Sequence, residues 1–95
     1  MKLNKDLRKR YFVVHNDFEN RMVQRKLMRL GYSWMGGSKK ISIYDKTKYI
    51  GVELKRFFWR NSSPKSEGYS LCSFDDFISE RDIELAKKEE NIDKL

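Results

Sequence analysis

The chain has 95 residues, of which 37% are charged and 39% hydrophobic, so we expect one small domain with a heavily solvated surface. A single cysteine, Cys72, excludes an internal disulfide, and together with a single histidine, His15, it excludes a zinc site built from Cys and His alone. No apolar run approaches the roughly 20 residues of a membrane span, and none follows the basic N-terminus as in a secretory signal, which predicts a cytoplasmic protein in a reducing compartment.

The charge is distributed unevenly along the chain. Residues 1–72 contain 17 Lys/Arg and 6 Asp/Glu, a net charge of +11, whereas residues 73–95 contain 4 Lys/Arg and 8 Asp/Glu, a net charge of −4. Most of the aromatic residues also lie in the basic part. Because phosphates need cations and bases need stacking surfaces, this composition indicates a nucleic-acid partner.

The first predicted elements are a strand and a helix. Tyr11–His15 is aromatic and β-branched, which predicts a strand. Asn16 is followed three residues later by Glu19, a spacing similar to a capping box, and a helix is predicted over residues 17–30. Gly31 is placed to end this helix, because glycine adopts the left-handed conformation without penalty.

The predicted helix has one apolar face and one basic face. The apolar face, expected to pack on the core, carries Val23, Leu27 and Leu30. The basic face carries Arg21, Arg25 and Arg29. Neighbouring arginines repel one another by a few tenths of a kcal/mol per pair, and an anionic partner would remove that repulsion. We therefore expect an exposed, ligand-binding stripe, although a solvated face with more distant acidic neighbours fits the spacing equally well.

The middle of the chain predicts short strands and turns. A short strand is expected over Tyr32–Met35, followed by a turn at Gly36-Gly37. The alternating segment Ile41–Leu54 predicts a hairpin, in which Gly51 indicates a bulge or a close backbone approach. Lys55–Arg60 either prolongs the second strand or turns out of it.

The last quarter predicts a loop, a strand and two helices. Asn61–Gly68 is a polar loop expected to be mobile, and Tyr69–Cys72 is a closing strand in which Cys72 is expected to be a small core residue. Ser73 is expected to cap a second helix. Residues 81–95 form a charged helix with few apolar positions, which we expect to fold over the basic face or to point into solvent rather than to form part of the core. The alternative is that its apolar residues dock against the sheet or against a second copy of the chain; these residues are Ile83, Leu85, Ala86 and Ile92.

The order of these elements predicts an α+β fold. We expect a small antiparallel sheet with one packed helix in the order β-α-β-β-β-α. The domain organisation expected is a basic arm over residues 1–10, the α+β domain over residues 11–80 and the charged helix over residues 81–95.

No catalytic constellation is recognisable in the sequence. His15 has only Asp17 as an acidic neighbour, and a nuclease using His15 would need a second acid or base. The segment Gly36–Lys40 lacks the spacing of a phosphate-binding P-loop. The sequence therefore predicts a protein that is not an enzyme and that has no cofactor and no metal.

The segment from Lys46 to Arg60 alternates cations with aromatic residues. A strand cannot bury the three consecutive rings of residues 57–59 on one face, so at least one is expected to be exposed beside an arginine. Such a ring suits stacking on an unpaired base and equally suits a protein-binding hot spot, and the overall charge favours the base. The predicted nucleic-acid-binding residues are Arg21, Arg25, Arg29, Lys39, Lys40, Lys48, Lys55, Arg56, Trp59 and Arg60.

The pattern from Tyr11 to Glu80 resembles small accessory proteins of T4-like bacteriophages. The similarity is carried by a helix ending in Leu30-Gly31-Tyr32 and followed by Trp34, then a glycine turn, a hairpin and a strand that runs into residues 74–78. The resemblance implies a host-takeover or counter-defence factor that binds host proteins or RNA, for example one that neutralises a toxin endoribonuclease. It implies no catalytic residue.

Together these observations predict a non-enzymatic accessory protein that binds RNA through a basic, aromatic-bearing face. The alternative is a protein-binding inhibitor of a host defence or transcription factor, whose basic face docks on an acidic surface. The choice between RNA and DNA, the host target and a homodimer all stay open at this point.

Overall fold

In the part of the chain that the structure describes, five strands form one mixed sheet, and three α-helices pack against it. The computed structural model describes residues 7–43 and 47–93, with side chains as far as Glu90. In chain order the elements are β1 Arg10–Val13, α1 Asp17–Arg29, β2 Ser33–Trp34, β3 Tyr49–Glu53, β4 Arg56–Arg60, β5 Ser70–Leu71, α2 Phe74–Phe77 and α3 Glu80–Asp93. The strands lie in the order β2-β4-β3-β1-β5. The predicted α+β class and the approximate order of elements are confirmed.

The sheet is mixed where a wholly antiparallel one was expected. Its three central strands, β4, β3 and β1, are antiparallel, whereas the short edge strands β2 and β5 run parallel to β4 and β1. The reason is that α1 connects β1 to β2 and the Asn61–Gly68 connection links β4 to β5, and each of these crossovers joins strands that run in the same direction.

Helix α1 begins and ends as its sequence predicts. The Asn16 side chain accepts a hydrogen bond of 2.9 Å from the backbone N–H of Glu19. Gly31 follows the helix with a φ of +101°, in the left-handed region that favours glycine. Val23 and Leu27 are fully buried against the sheet. The core that they join also includes Phe12, Ile50, Val52 and Phe57.

The predicted hairpin over Ile41–Leu54 is wrong. The hairpin of this fold joins β3 to β4 through Leu54 and Lys55, and the described residues 38–43 form no strand. Side chains of other elements hydrogen-bond the backbone there, which satisfies groups that a strand ladder would otherwise pair. Of the rest of the predicted hairpin before β3, residues 44–46, including Lys46, lie outside the described part of the chain.

The sheet face opposite the helices is covered by the Asn61–Gly68 connection. This connection contains a 3-10 turn, Pro64–Glu67, with Pro64 fully buried. Directly after this connection, the Tyr69 hydroxyl donates a hydrogen bond of 2.9 Å to a carboxylate oxygen of Glu53 in β3. Lys9 Nζ lies 3.1 Å from the same oxygen. The hydrogen bonds from Lys9 and Tyr69 lower the pKa of Glu53. A loop expected to be mobile is therefore tied to the sheet.

Helix α3 lies against the basic helix α1 and also contributes to the core, so the expectation that it would not form core is wrong. Ala86 is 1% exposed, and Ile83 packs against the core. Polar contacts reinforce this docking, since Lys26 Nζ of α1 donates to the Phe77 carbonyl at 2.6 Å and to Asp82 at 2.9 Å. Two apolar residues of α3, Ile83 and Ala86, therefore join the core, and the polar contacts add to their packing.

Leu7 and the single cysteine both pack at the core. The expected basic arm covered residues 1–10, but Leu7 is buried, Lys9 pairs with Glu53 and Arg10 begins β1, while residues 1–6 lie outside the described part. Cys72 follows β5 and packs partly buried against the core, and this burial raises the pKa of its thiol. Within residues 7–43 and 47–93, none of the helices has the length and the apolar character needed to cross a membrane.

Candidate nucleic-acid interface

The candidate interface is built around Ser38–Ser42, which we call the anchored segment. Gln24 of α1 is fully buried and holds the backbone of Ser42 by two hydrogen bonds, one to its carbonyl at 2.7 Å and one from its N–H at 2.9 Å. Trp34 holds the segment from the other side, where its indole N–H donates to the Lys40 carbonyl at 2.9 Å. A segment without regular secondary structure is thus fixed at both ends.

The anchoring leaves two lysines directed into solvent. Lys39 and Lys40 are both exposed. Two hydrogen bonds to Ser38 further order their backbone. The Ser38 carbonyl accepts from the backbone N–H of Trp34 at 2.9 Å, and the Ser38 hydroxyl accepts from the backbone N–H of Lys40 at 3.2 Å. Because the backbone is already fixed, binding an anion here costs less conformational entropy than it would on a flexible loop.

A basic cleft lies between the anchored segment and α1. It has a volume of about 570 Å³ and is lined by Arg21, Arg25, Met28, Lys39, Lys40 and Ile41. Four of the ten residues predicted to bind nucleic acid therefore surround one cavity. In the sequence, Arg21 and Arg25 belong to the predicted arginine stripe, whereas Lys39 and Lys40 follow the glycine turn. The fold brings these two segments together.

The cations of the cleft differ in their ion pairs. Arg25 lies 3.7 Å from Glu89 and 3.5 Å from Glu90 of α3, and its side chain is only 13% exposed. In the part of the chain that the structure describes, Arg21, Lys39 and Lys40 form no ion pair. The cleft therefore keeps a positive charge on the side remote from α3.

Arg29 is not part of the cleft. It lies 3.3 Å from Asp82 and 3.4 Å from Glu89, and its side chain is 25% exposed. The exposed arginine stripe predicted from the spacing is therefore wrong for Arg25, which is largely buried against α3, whereas Arg29 is exposed but paired with carboxylates that α3 supplies. The alternative prediction, a face with acidic neighbours distant in sequence, applies to Arg25 and Arg29, whose carboxylate partners lie on α3.

An aromatic pocket lies on the other side of the anchored segment. It has a volume of about 320 Å³ and is lined by Trp34, Met35, Gly36, Ser38, Ser42, Phe58 and Trp59. Phe57 is fully buried in the core, Phe58 is half-buried and Trp59 is 39% exposed. The expectation that three consecutive rings leave at least one exposed is confirmed.

The other predicted cations of the β3–β4 region lie outside both cavities. Lys55 Nζ sits 5.0 Å from the centre of the Tyr32 ring, and Arg56 donates a hydrogen bond of 2.9 Å to the Ser33 hydroxyl. Lys48 is exposed immediately before β3. None of these three side chains lines the basic cleft or the aromatic pocket.

Arg60 points toward the covered face of the sheet. One of its N–H groups donates a hydrogen bond of 3.0 Å to Glu67, and its guanidinium lies 5.1 Å from the centre of the Phe58 ring. The hydrogen bond with Glu67 raises the pKa of Arg60 and lowers that of Glu67. Arg60 therefore helps to hold the Asn61–Gly68 connection on the sheet.

His15 has a structural partner that its sequence neighbours did not identify. The expected acidic neighbour was Asp17, but the ring Nδ1 of His15 lies 2.9 Å from Glu19, whose carboxylate also accepts from the His15 backbone N–H at 2.9 Å. These contacts belong to the start of α1. Over residues 7–43 and 47–93, no group of three or more His, Cys, Asp or Glu side chains is arranged to hold a metal ion.

Two contacts between distant residues, one in the candidate interface and one in the docking of α3, have no signal in the sequence. The Gln24–Ser42 pair joins residues 18 positions apart, and the Lys26–Asp82 pair joins residues 56 positions apart. Neither pair leaves a local signal, since a polar residue on a helix is usually solvated. The likeness to accessory proteins of T4-like phages stays a prediction, because no protein-family model, no curated protein and no solved structure matches this chain.

Proposed function

We propose that this protein binds single-stranded RNA without catalysing a reaction, and that the basic cleft contacts the phosphates. The observation that carries the proposal is the convergence of Arg21, Arg25, Lys39 and Lys40, from two separate segments, around one open cavity. Three of these four cations have no carboxylate partner among the described residues. Clustered cations of this kind bind a polyanion with release of its counterions.

The geometry favours backbone recognition over reading of base edges. The cleft offers ammonium and guanidinium groups, which suit phosphate oxygens, and its other two lining residues, Met28 and Ile41, are apolar. Limited sequence preference follows, because phosphates carry no sequence information. The resemblance to phage accessory proteins extends this proposal to an RNA-binding factor that acts in the host cytoplasm against a toxin–antitoxin or nuclease defence.

The test is the salt dependence of RNA binding, measured by fluorescence anisotropy with a labelled oligouridylate of about 12 nucleotides. Each phosphate contact to a single strand contributes about 0.7 to the slope of log K against log salt. The variant Arg21→Gln/Lys39→Gln/Lys40→Gln should bind more weakly and lose about 2 from that slope, since three contacts are removed.

The matched control removes the same charge from elsewhere on the surface. The variant Lys65→Gln/Lys87→Gln/Lys88→Gln changes three exposed lysines on the 3-10 turn and on α3. It should keep most of the slope and most of the affinity. Equal losses in the two variants would refute a localised site. Binding that does not change with salt would refute the RNA proposal and favour the alternative, an acidic protein partner. A DNA strand of matching sequence separates RNA preference from binding to any single strand.

A further inference from the structure

The aromatic pocket and the basic cleft share the anchored segment as a common wall. Ser38 and Ser42 line the pocket, while Lys39 and Lys40, between them in sequence, line the cleft. We propose that the aromatic pocket holds one unpaired base of an RNA strand whose phosphates lie on Lys39 and Lys40. This inference rests on the proposed function and adds the chemical group that the second cavity takes.

The floor of the pocket is rigid. Trp34 is only 9% exposed, its ring packs 4.5 Å from the centre of the fully buried Phe57 ring, and its indole N–H is engaged by the Lys40 carbonyl. A ring fixed by the core on one face and by a hydrogen bond at its edge does not reorient when a ligand binds. It therefore presents a preformed apolar surface.

The walls of the pocket remain open to solvent. Trp59 is 39% exposed and Met35 is 55% exposed, although both are large apolar residues. An indole ring and a thioether are surfaces on which a planar, aromatic base packs well. Gly36, which also lines the pocket, adds no side chain that would narrow the entrance.

Hydroxyl groups give the pocket its polar contacts. Both Ser38 and Ser42 line the pocket. Gln24 binds only the backbone of Ser42, and within the described part of the chain the Ser42 hydroxyl forms no hydrogen bond. A hydroxyl donates or accepts, so it can pair with the edge of any base. The pocket therefore suits a base without selecting one strongly.

The neighbouring cations identify the base as part of a strand. Contacts with Lys39 and Lys40 would add no binding free energy for an uncharged hydrophobic ligand. Contact with Trp59 would add none for a polyphosphate. A paired base in a duplex is stacked on both sides and cannot enter a side pocket without being extruded. A single strand satisfies both cavities, because its bases are free to leave the stack while its phosphates follow the lysines.

The experiment compares three ligands of equal length: oligouridylate, the same strand with abasic sites throughout, and duplex RNA. The oligouridylate should bind about five- to a hundredfold more tightly than the abasic strand, as expected for a stacked base, and should quench tryptophan fluorescence. Trp59→Leu should remove both the preference and most of the quenching while leaving the salt slope unchanged. Trp59→Phe should restore most of the preference.

The matched control is Phe18→Leu, which alters another exposed aromatic residue, one that packs beside Phe74 at a ring distance of 6.4 Å. This variant should bind like the unaltered protein. Equal affinity for the oligouridylate and the abasic strand, with a normal salt slope, would overturn the base pocket while leaving the proposed function intact. Failure of every strand to bind would overturn both. Thermal melting of each variant verifies that it is folded.

Discussion

The ring of Phe58 lies over Gly51, its partner across the β3–β4 hairpin. A Cβ placed on Gly51 would come within 2.5 Å of the end of that ring, closer than any relaxed contact. The strand register runs without interruption past this position on both sides. Of the two alternatives that the sequence offered, a bulge or a close approach, the close approach is therefore the one that the fold uses.

Gly51→Ala should destabilise the protein, because the added methyl forces Phe58 or the strand to move. Overpacking of this kind costs about 1–3 kcal/mol. For a domain of this size each kcal/mol lowers the melting temperature by about 4–8 °C, so the loss is measurable by thermal unfolding. The double variant Gly51→Ala/Phe58→Ala should cost less than the sum of its single changes, since the smaller side chain makes room. An unchanged melting temperature in Gly51→Ala would contradict the close contact.

Residues whose partners are near in sequence were predictable, and those whose partners are distant were not. Asn16 and Gly31 were assigned correctly because capping chemistry is decided within three or four residues. Gln24 carries no such signal. Its role as a buried clamp depends on where residues 38–42 cross the helix, and the alternation of that segment favoured a strand.

At the scale of elements, α3 shows why a charge-rich helix is difficult to interpret from its sequence. Its apolar positions are few, and its carboxylates pair with cations of α1 that lie 53 to 65 residues earlier in the chain. Such pairs follow from the relative placement of two helices, which local periodicity does not contain. The charged positions that suggested a solvated tail are the ones that hold it in place.

Asp82 is the centre of this docking. Its carboxylate accepts hydrogen bonds from the Ser79 N–H at 2.8 Å, the Ser79 hydroxyl at 2.9 Å and Lys26 Nζ at 2.9 Å, and its side chain is 12% exposed. Burial by itself raises the pKa of Asp82, but the hydrogen bonds from Ser79 and Lys26 together outweigh it, and the pKa lies below its ordinary value of 3.8.

Asp82→Asn should lower the free energy of unfolding at pH 7 by about 1–3 kcal/mol, because it leaves Lys26 without its charged partner. Since the folded state holds this pKa below 3.8, the contribution is complete above that pH and is lost as the pH falls through the lowered value. Urea unfolding should therefore show the two proteins converging as the pH drops below about 4. Asp75→Asn, an exposed change in the first turn of α2, should cost only a few tenths of a kcal/mol. A constant gap between the Asp82 variant and the unaltered protein at all pH values would refute this assignment.

The fold class of the protein could be predicted from its sequence, but the order and direction of its strands could be predicted only in part. The strong patterns of β1, α1 and β3 identified an α+β domain. The directions of β2 and β5 were not predictable, because these strands are two residues long and their direction is decided by the crossovers that lead into them. The same is true of the candidate site. Four predicted cations line the cleft. Lys55, Arg56 and Arg60 lie elsewhere, where they contact Tyr32, Ser33 and Glu67 respectively.

The uneven charge along the sequence becomes an internal contact in the folded protein. Through Glu89 and Glu90, the acidic α3 lies against Arg25 at the edge of the basic cleft, and Glu89 also reaches Arg29. These carboxylates occupy positions near cations that a phosphate would otherwise contact. Under the proposed function, α3 therefore competes with RNA for one end of the cleft while stabilising the fold.

Glu89→Gln/Glu90→Gln should bind RNA several-fold more tightly and add up to about 0.7 to the slope of log K against log salt, because Arg25 becomes available to a phosphate while Arg29 stays paired with Asp82. Glu80→Gln/Glu84→Gln is the matched control, since it raises the net charge of +7 by the same two units at exposed positions. At about 0.15 M salt the control should have a small effect, because charges separated by more than about 8 Å are largely screened. Equal gains in the two variants would mean that total charge alone governs binding. No gain in the first variant, with its melting temperature preserved, would show that Arg25 and Arg29 serve only to hold α3 against α1.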